Sequence, residues 1–190
     1  QCEEIKQDRQ DDSRMARLVQ RHALEVEALF QHTAEAALAS IGPWLIELPL
    51  SSQGAAVAPE LLHELALEAG VVHALSMVSS PLRSLTLANH LRSWKRGLIL
   101  PDPSLVGDEA VGAVLRWFDP RIGFDMVSLW PESEQRDFMR AFTWAGWDAR
   151  FEPRGMRCSR PRAPASAERT EPLPLDMPLL QAIAPLSRAD

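Results

Sequence analysis

The chain has 190 residues, which is enough for one domain with appendages and too few for a second full domain. Its 20 Lys and Arg residues against 26 Asp and Glu residues give a formal net charge of −6. This charge argues against a general nucleic-acid-binding surface and favours a protein or small-molecule partner. The two cysteines, Cys2 and Cys158, form no Cys-x-x-Cys pair, which argues against a zinc site and suits a reducing compartment.

Neither a signal peptide nor a membrane span is predicted. The N-terminal stretch is polar and acidic and has no apolar core behind a basic start. The longest apolar run, residues 41–50, is interrupted by two prolines and a glutamate and is far below the roughly 20 residues that span a bilayer. We therefore expect a soluble, cytoplasmic protein that has no membrane partner.

The first part of the chain predicts two amphipathic helices on either side of a short strand. Apolar residues recur at three- and four-residue steps over residues 8–30 and again over 59–69. The first of these helices is either continuous or broken near His22. His22 is predicted to be a packed, hydrogen-bonded side chain, because no second histidine completes a metal motif. Thr33 can cap a short Ala-rich helix, and residues 44–48 read as a buried strand.

A strand, a helix and a basic face are predicted in the middle of the chain. Residues 71–78 alternate as in a strand, the Ser-Pro pair at 80–81 is typical of a helix start, and the apolar stripe then continues to Gly97. The outer face of this helix carries Arg83, Arg92, Lys95 and Arg96. Such a face either binds phosphates or an acidic partner, or is solvated near a helix C-terminus, and we favour the second interpretation.

A strand-to-helix corner is predicted next. Residues 98–100 and 114–118 read as antiparallel strands, joined by a connection rich in Pro, Asp and Gly. Asp119 can then cap a new helix, with Pro120 in its first position. We expect the charged pair Asp119 and Arg121 to form a structural cap with an ion pair. The functional alternative is a catalytic carboxylate or a docking arginine.

The region after the corner predicts two further helices and an aromatic core. Residues 122–130 continue a helical stripe, and Pro131 starts another helix whose first turn is acidic. Large aromatic side chains follow at Phe138, Phe142, Trp144, Trp147 and Phe151. We interpret this group as packed core and not as a cofactor site.

The predicted fold class is α/β (α+β), with a small mixed β-sheet packed by helices. An α/β lobe is expected over residues 1–152, a flexible linker rich in Pro and Arg over 153–172, and a short apolar helical segment over 173–190. Asp176 can cap that last helix. The segment either folds back onto the domain or binds a partner through one apolar face. This face is made of Leu179, Leu180, Ile183 and Leu186.

The order and spacing of several motifs over residues 26–151 resemble the type VI secretion effector adaptors, chaperones long catalogued as a domain of unknown function. The motifs are Ala28-Leu29-Phe30, Gly42-Pro43-Trp44-Leu45-Ile46-Glu47-Leu48, Ser79-Ser80-Pro81-Leu82, Asn89-His90-Leu91-Arg92 and Leu115-Arg116-Trp117-Phe118-Asp119-Pro120-Arg121. The family-motif residues that the resemblance selects are Trp44, Glu47, Pro81, Leu82, His90, Arg116, Phe118, Asp119, Pro120 and Arg121.

The resemblance implies a cytoplasmic adaptor that is not an enzyme, binds no cofactor or metal, and loads a toxin effector onto the valine-glycine-repeat (VgrG) spike. In agreement, the sequence has no Gly-x-Ser-x-Gly elbow, no phosphate-binding glycine loop and no His-Glu-x-x-His motif. Two alternatives stay open. One is a small hydrolase or transferase that uses Asp119 with His73 or His90, and the other is binding of nucleic acid or anionic lipid by the arginine-rich residues 150–169.

Overall fold

A computed structural model describes residues 17–39, 42–48, 60–61, 63–65, 76–101, 104, 109–147, 153–156 and 171–183. The chain divides into two compact units, Gln1–Val72 and His73–Asp190, whereas the sequence placed a boundary after residue 152. The predicted mixed α/β class is confirmed. The described strands form three small sheets of two or three strands each.

The first unit contains a two-stranded antiparallel sheet of β1 (Val26–Ala28) and β2 (Trp44–Ile46). Its helical parts in the described chain are α1 at 17–21, a 3₁₀ turn at Ala36–Leu38, and α2 at 60–61 and 63–65. Apolar side chains of the two α-helices form a small core, which is covered by one residue that precedes β1 and by residues in and just after β2. The core members are Leu18, Leu61 and Leu65, with Leu24, Ile46 and Leu48 packed against them.

The break near His22 that the sequence left open is present, and the expected helical continuation to residue 30 is wrong. Ala23 adopts a left-handed backbone conformation with φ of 49°, which ends the helix, and β1 follows. His22 is hydrogen-bonded as predicted, through Nε2 to Glu64 Oε2 at 3.3 Å. The Thr33 hydroxyl accepts a hydrogen bond from the backbone N–H of Glu35 at 3.3 Å and donates one to the Phe30 carbonyl. Residues 8–16 lie outside the described part.

The described residues of the second unit form two three-stranded sheets. In one, β6 (Thr143–Trp147) is flanked by β3 (Ser76–Ser79) and β7 (Pro153–Met156), and all pairs are antiparallel. In the other, β4 (Arg96–Ile99) pairs antiparallel with β5 (Val111–Val114) and parallel with β8 (Leu173–Leu175).

The antiparallel return of the chain into β5 is thus confirmed, but β5 lies at an edge and has one strand neighbour among the described residues. This edge position leaves the second long side of β5 without a strand partner in the described chain.

Four helices complete the described part of the second unit: α3 (Ser84–Ser93), α4 (Gly123–Ser128), α5 (Glu132–Met139) and α6 (Met177–Ile183). The helix α3 begins later than predicted. The Ser80 hydroxyl accepts a hydrogen bond from the Leu82 N–H at 3.1 Å and donates one to the Ala141 carbonyl at 2.6 Å, so Ser80 and Pro81 form a turn before the helix. The helix also ends before Gly97, which is part of β4.

The last part of the chain differs from the predicted linker and helix. The first four residues of the predicted linker form β7, and residues 157–170 lie outside the described part. The segment from Leu173 begins as a strand, because Leu173 and Leu175 are buried beside β4, and it becomes helical at Met177. Asp176 caps α6 as predicted, since its Oδ1 accepts a hydrogen bond from the Leu179 N–H at 3.0 Å.

Within the described ranges, no helix has the length and apolar character needed to cross a membrane.

Candidate functional site

The corner that follows β5 is the best-defined charged feature of the second unit. The strand ends at Val114, whereas the sequence predicted strand as far as Phe118. Side chains nevertheless alternate beyond this point: Leu115 and Trp117 are buried, while Arg116 is exposed. The chain turns because the Asp119 N–H donates a hydrogen bond to the Arg116 carbonyl at 3.0 Å, which closes a tight turn over Trp117 and Phe118.

Asp119 is buried, and its carboxylate is shared by two arginines. Its side chain is 8% exposed. Arg121 binds both oxygens, through Nε to Oδ1 at 3.1 Å and Nη2 to Oδ2 at 3.0 Å, and its backbone N–H donates to Oδ1 at 3.0 Å. Arg116 Nη2 also donates to Oδ2. Because two guanidinium groups face one carboxylate, the cluster carries one net positive charge, and we call these three residues the Arg-Asp-Arg corner.

The surroundings of the Asp119 carboxyl lower its pKa. Burial by itself raises the pKa, because it disfavours the charged form. The hydrogen bonds from the side chain and backbone of Arg121, with the positive charges of Arg121 and Arg116, outweigh this effect. The pKa of Asp119 therefore lies below its ordinary value, and the carboxylate stays charged at neutral pH.

Asp119 is not the side-chain cap that the sequence predicted for the next helix. The helix α4 begins at Gly123, its N-cap is Ile122, and no side chain caps it. Asp119 acts instead through its backbone carbonyl, which accepts hydrogen bonds from Ile122 N at 3.2 Å and Gly123 N at 2.7 Å. The helix starts later than expected because Pro120 is part of this hydrogen-bonded turn.

An aromatic cluster packs next to the corner, with Phe138 of α5 at its centre and 0% exposed. Its ring lies 5.3 Å from that of Trp117, centroid to centroid, so the cluster directly contacts the chain at the corner. In the described part of the chain, the other rings within 6.0 Å of Phe138 are those of Trp94, Trp130, Phe142 and Trp144. Phe138, Phe142 and Trp144 of the predicted aromatic core are therefore packed core, and the cluster gives the corner a rigid support.

His90 belongs to the same core. It is 9% exposed, and its Nε2 lies 2.8 Å from the carbonyl oxygen of Phe138, so Nε2 carries the donated hydrogen. Burial lowers the pKa of His90, and the charge of Arg140 adds to this, while the Phe138 carbonyl and Asp137 oppose it. The net direction is downward, which favours the neutral imidazole.

The acid–base pair of the hydrolase alternative is not formed by His90. Among the described residues, the hydrogen-bond donors to the Asp119 carboxylate are Arg116 and Arg121, while His90 binds the Phe138 carbonyl. The other candidate, His73, lies outside the described residues. In the part of the chain that the structure describes, no group of three His, Cys, Asp or Glu side chains could hold a metal ion.

The remaining family-motif residues are divided between the two units. In the first unit, the Trp44 indole N–H donates to the Ala39 carbonyl at 3.1 Å, and Glu47 is exposed just after β2. In the second unit, Pro81 is exposed and Leu82 is half-buried in the turn before α3. Phe118 is half-buried, and its ring meets that of Trp117 edge-on at 5.5 Å. Pro120 is buried.

The predicted basic face of α3 is not a continuous surface. Lys95 is 4% exposed, because α3 ends at Ser93 and Lys95 lies in the buried connection to β4. Arg92 is half-buried and donates from Nη1 to Asn89 Oδ1 at 2.8 Å. Arg83 and Arg96 are exposed. The four basic residues therefore do not form one exposed cluster, which removes the basis of the phosphate-binding alternative.

The apolar face predicted for partner binding falls only partly within the described residues. Leu179 and Leu180 of α6 are half-buried, the side chain of Ile183 is not described, and Leu186 lies outside the described part. Their role in partner binding stays a prediction.

Comparison with known proteins gives one family. No curated protein and no solved structure matches the chain significantly. A family described as Domain of unknown function (DUF4123) matches residues 8–137. This match covers most of the chain and includes every family-motif residue, from Trp44 to the Arg-Asp-Arg corner. The chain therefore belongs to the DUF4123 family.

Proposed function

We propose that this protein is an adaptor that binds a toxin effector of the type VI secretion system and recruits it to the VgrG spike. The observation that carries the proposal is the Arg-Asp-Arg corner, which lies in one of the motifs that resemble those of the effector adaptors. A second support is the series of motifs over residues 26–151, in a chain that belongs to the DUF4123 family. No part of the proposal requires bond-making chemistry from the protein.

The geometry of the corner suits recognition. Asp119 is held by three donor groups of Arg121 and one of Arg116, so the two guanidinium groups are fixed in place before any partner arrives. Their side chains are 52% and 39% exposed, which leaves them accessible. Fixed arginines lose little conformational entropy on binding and make directional hydrogen bonds to carboxylates.

The test is co-expression of the full chain with the VgrG protein and the toxin encoded by neighbouring genes in the source bacterium. We expect the tagged protein to co-purify with one or both as a stable complex on size exclusion. A VgrG protein and a toxin from a different locus of the same genome serve as matched controls and should not be retained. If neither neighbouring product co-purifies in stoichiometric amounts, the adaptor proposal is wrong.

A further inference from the structure

The edge strand β5 presents backbone groups that lack a partner strand in the described chain. In the β4–β5 ladder, Gly97 faces Ala113 and Arg96 faces Val114. The Leu115 N–H donates to the Lys95 carbonyl at 2.7 Å, so the odd-numbered residues of β5 direct their backbone groups towards β4. Because these directions alternate, the N–H and C=O groups of Gly112 and Val114 point away from β4.

The side chains along this edge leave room for a second chain. Val111 and Val114 are 57% and 44% exposed. A Cβ atom added to Gly112 would have no atom within 4 Å, so the backbone is open at this position. Native proteins usually cover such edges or protect them with charge, and an exposed apolar edge is a template for strand addition.

The charge at the end of β5 indicates the chemistry of the missing strand. Gly112, Val114 and Arg116 are all exposed and share one face of the chain by alternation, and Arg96 lies opposite Val114 on that face. The Arg-Asp-Arg corner adds its net positive charge two residues beyond Val114. An extended segment that pairs with Gly112 and Val114 therefore meets guanidinium groups at its end, and a carboxylate there is the complementary group.

We propose that β5 is the docking edge for an extended, acidic segment of a protein partner, which adds as a strand beside Gly112 and Val114 and places a carboxylate on Arg116. This inference rests on the proposed adaptor function and assigns the partner segment to one edge of one sheet. A second copy of the chain is a poorer occupant, because it would bring the same positive corner to the interface.

The test uses two variants of the full chain in the co-purified complex. Val114→Pro removes an outward N–H, a position where an edge strand tolerates proline, and Arg116→Gln removes the charge while Arg121 still binds Asp119. Arg136→Gln is the matched control, because Arg136 is 68% exposed on α5 and its ion pair with Glu132 is long, at 3.9 Å. Melting temperatures and circular dichroism of the free variants establish that each one is folded.

We expect Val114→Pro and Arg116→Gln each to weaken binding of one partner, the toxin or the spike, by about tenfold, and Arg136→Gln to bind as the wild type does. The direct readout is hydrogen exchange of the wild-type chain, in which the Gly112 and Val114 amides should become protected in the complex. Binding assays with toxin and spike separately identify which partner supplies the strand.

The outcomes separate this inference from the adaptor proposal. A complex that forms with wild-type affinity in both variants, without new protection at Gly112 and Val114, overturns the β5 docking edge and leaves the adaptor function standing. Protection of these amides that depends only on the concentration of the chain itself assigns the edge to a second copy and also overturns the inference. Failure of the wild-type chain to bind either partner overturns the adaptor function, and the docking edge with it.

Discussion

Arg121 donates three hydrogen bonds to the carboxylate of Asp119, two from side-chain nitrogens and one from its backbone N–H. One residue separates the two in the chain. Both side chains are therefore fixed by a local arrangement. Arg116 approaches the same carboxylate from the preceding turn. The corner joins β5 to α4 through one buried negative charge, and its stability depends on that charge being present.

The first prediction concerns removal of the Asp119 carboxylate. Asp119→Ala should lower the free energy of unfolding by about 2 kcal/mol, because it removes charge-assisted hydrogen bonds from a buried site. Asp119→Asn keeps an oxygen for the Arg121 N–H and should cost about half as much. Urea denaturation at pH 7 measures both values. Equal stability of wild type and Asp119→Ala would show that the corner contributes nothing to the fold.

The second prediction is a pH dependence that belongs to the same carboxylate. The pKa of Asp119 is lower in the folded chain than its ordinary value of about 3.9, so its contribution to stability is fully present above that value. The contribution is lost as the pH falls through the lower pKa of the folded state. The difference in unfolding free energy between wild type and Asp119→Asn should therefore shrink below about pH 4. A difference that stays constant from pH 7 to pH 3 would contradict the lowered pKa.

The third prediction concerns His90, whose pKa is lowered mainly by burial. Burial favours the neutral form of the His90 imidazole in the folded chain. The unfolded chain therefore binds more protons than the folded chain once the pH falls to the ordinary histidine pKa of about 6.5 or below. The wild type should lose stability between pH 7 and pH 5. His90→Gln keeps an N–H donor for the Phe138 carbonyl and should lose less over this range. A pKa of His90 above 6.5, measured by NMR titration of the ring, would contradict the prediction.

The sequence predicted the contact between Asp119 and Arg121 because that contact is local. An Asp side chain reaches the backbone N–H two residues ahead, and an intervening proline keeps the chain in a turn. The second arginine was missed, since Arg116 was interpreted as a side chain within a strand that extended to Phe118. The strand ends earlier, and the turn over Trp117 and Phe118 brings Arg116 back to Asp119. The spacing of three residues between Arg116 and Asp119 was the available signal.

Features that depend on distant parts of the chain were not predictable from local patterns. Lys95 continues the basic spacing of α3, but its burial depends on where the helix ends and on β4 that follows. Leu173 and Leu175 were assigned to the helical segment although their spacing of two residues is typical of a strand, and pairing with β4 buries both side chains. Helix and strand periodicities are both compatible with such short apolar segments, so tertiary pairing decides between them.

The last prediction compares two glycines on opposite sides of the corner. A Cβ atom added to Gly123 would overlap the Trp117 carbonyl oxygen and lie 2.9 Å from the Trp144 ring, so Gly123→Ala must shift the backbone of the corner or the start of α4. We expect a loss of about 2 kcal/mol or more in the free energy of unfolding, as for other forced overpacking. Gly112→Ala is the matched control: its Cβ meets nothing within 4 Å, and its stability should stay within about 0.5 kcal/mol of wild type. Thermal and urea unfolding of the three proteins measure the difference. Similar stabilities for the two variants would mean that the backbones of Trp117 and Gly123 are not in close contact. The backbone at the corner would then be less tightly packed than the hydrogen bonds of Asp119 indicate.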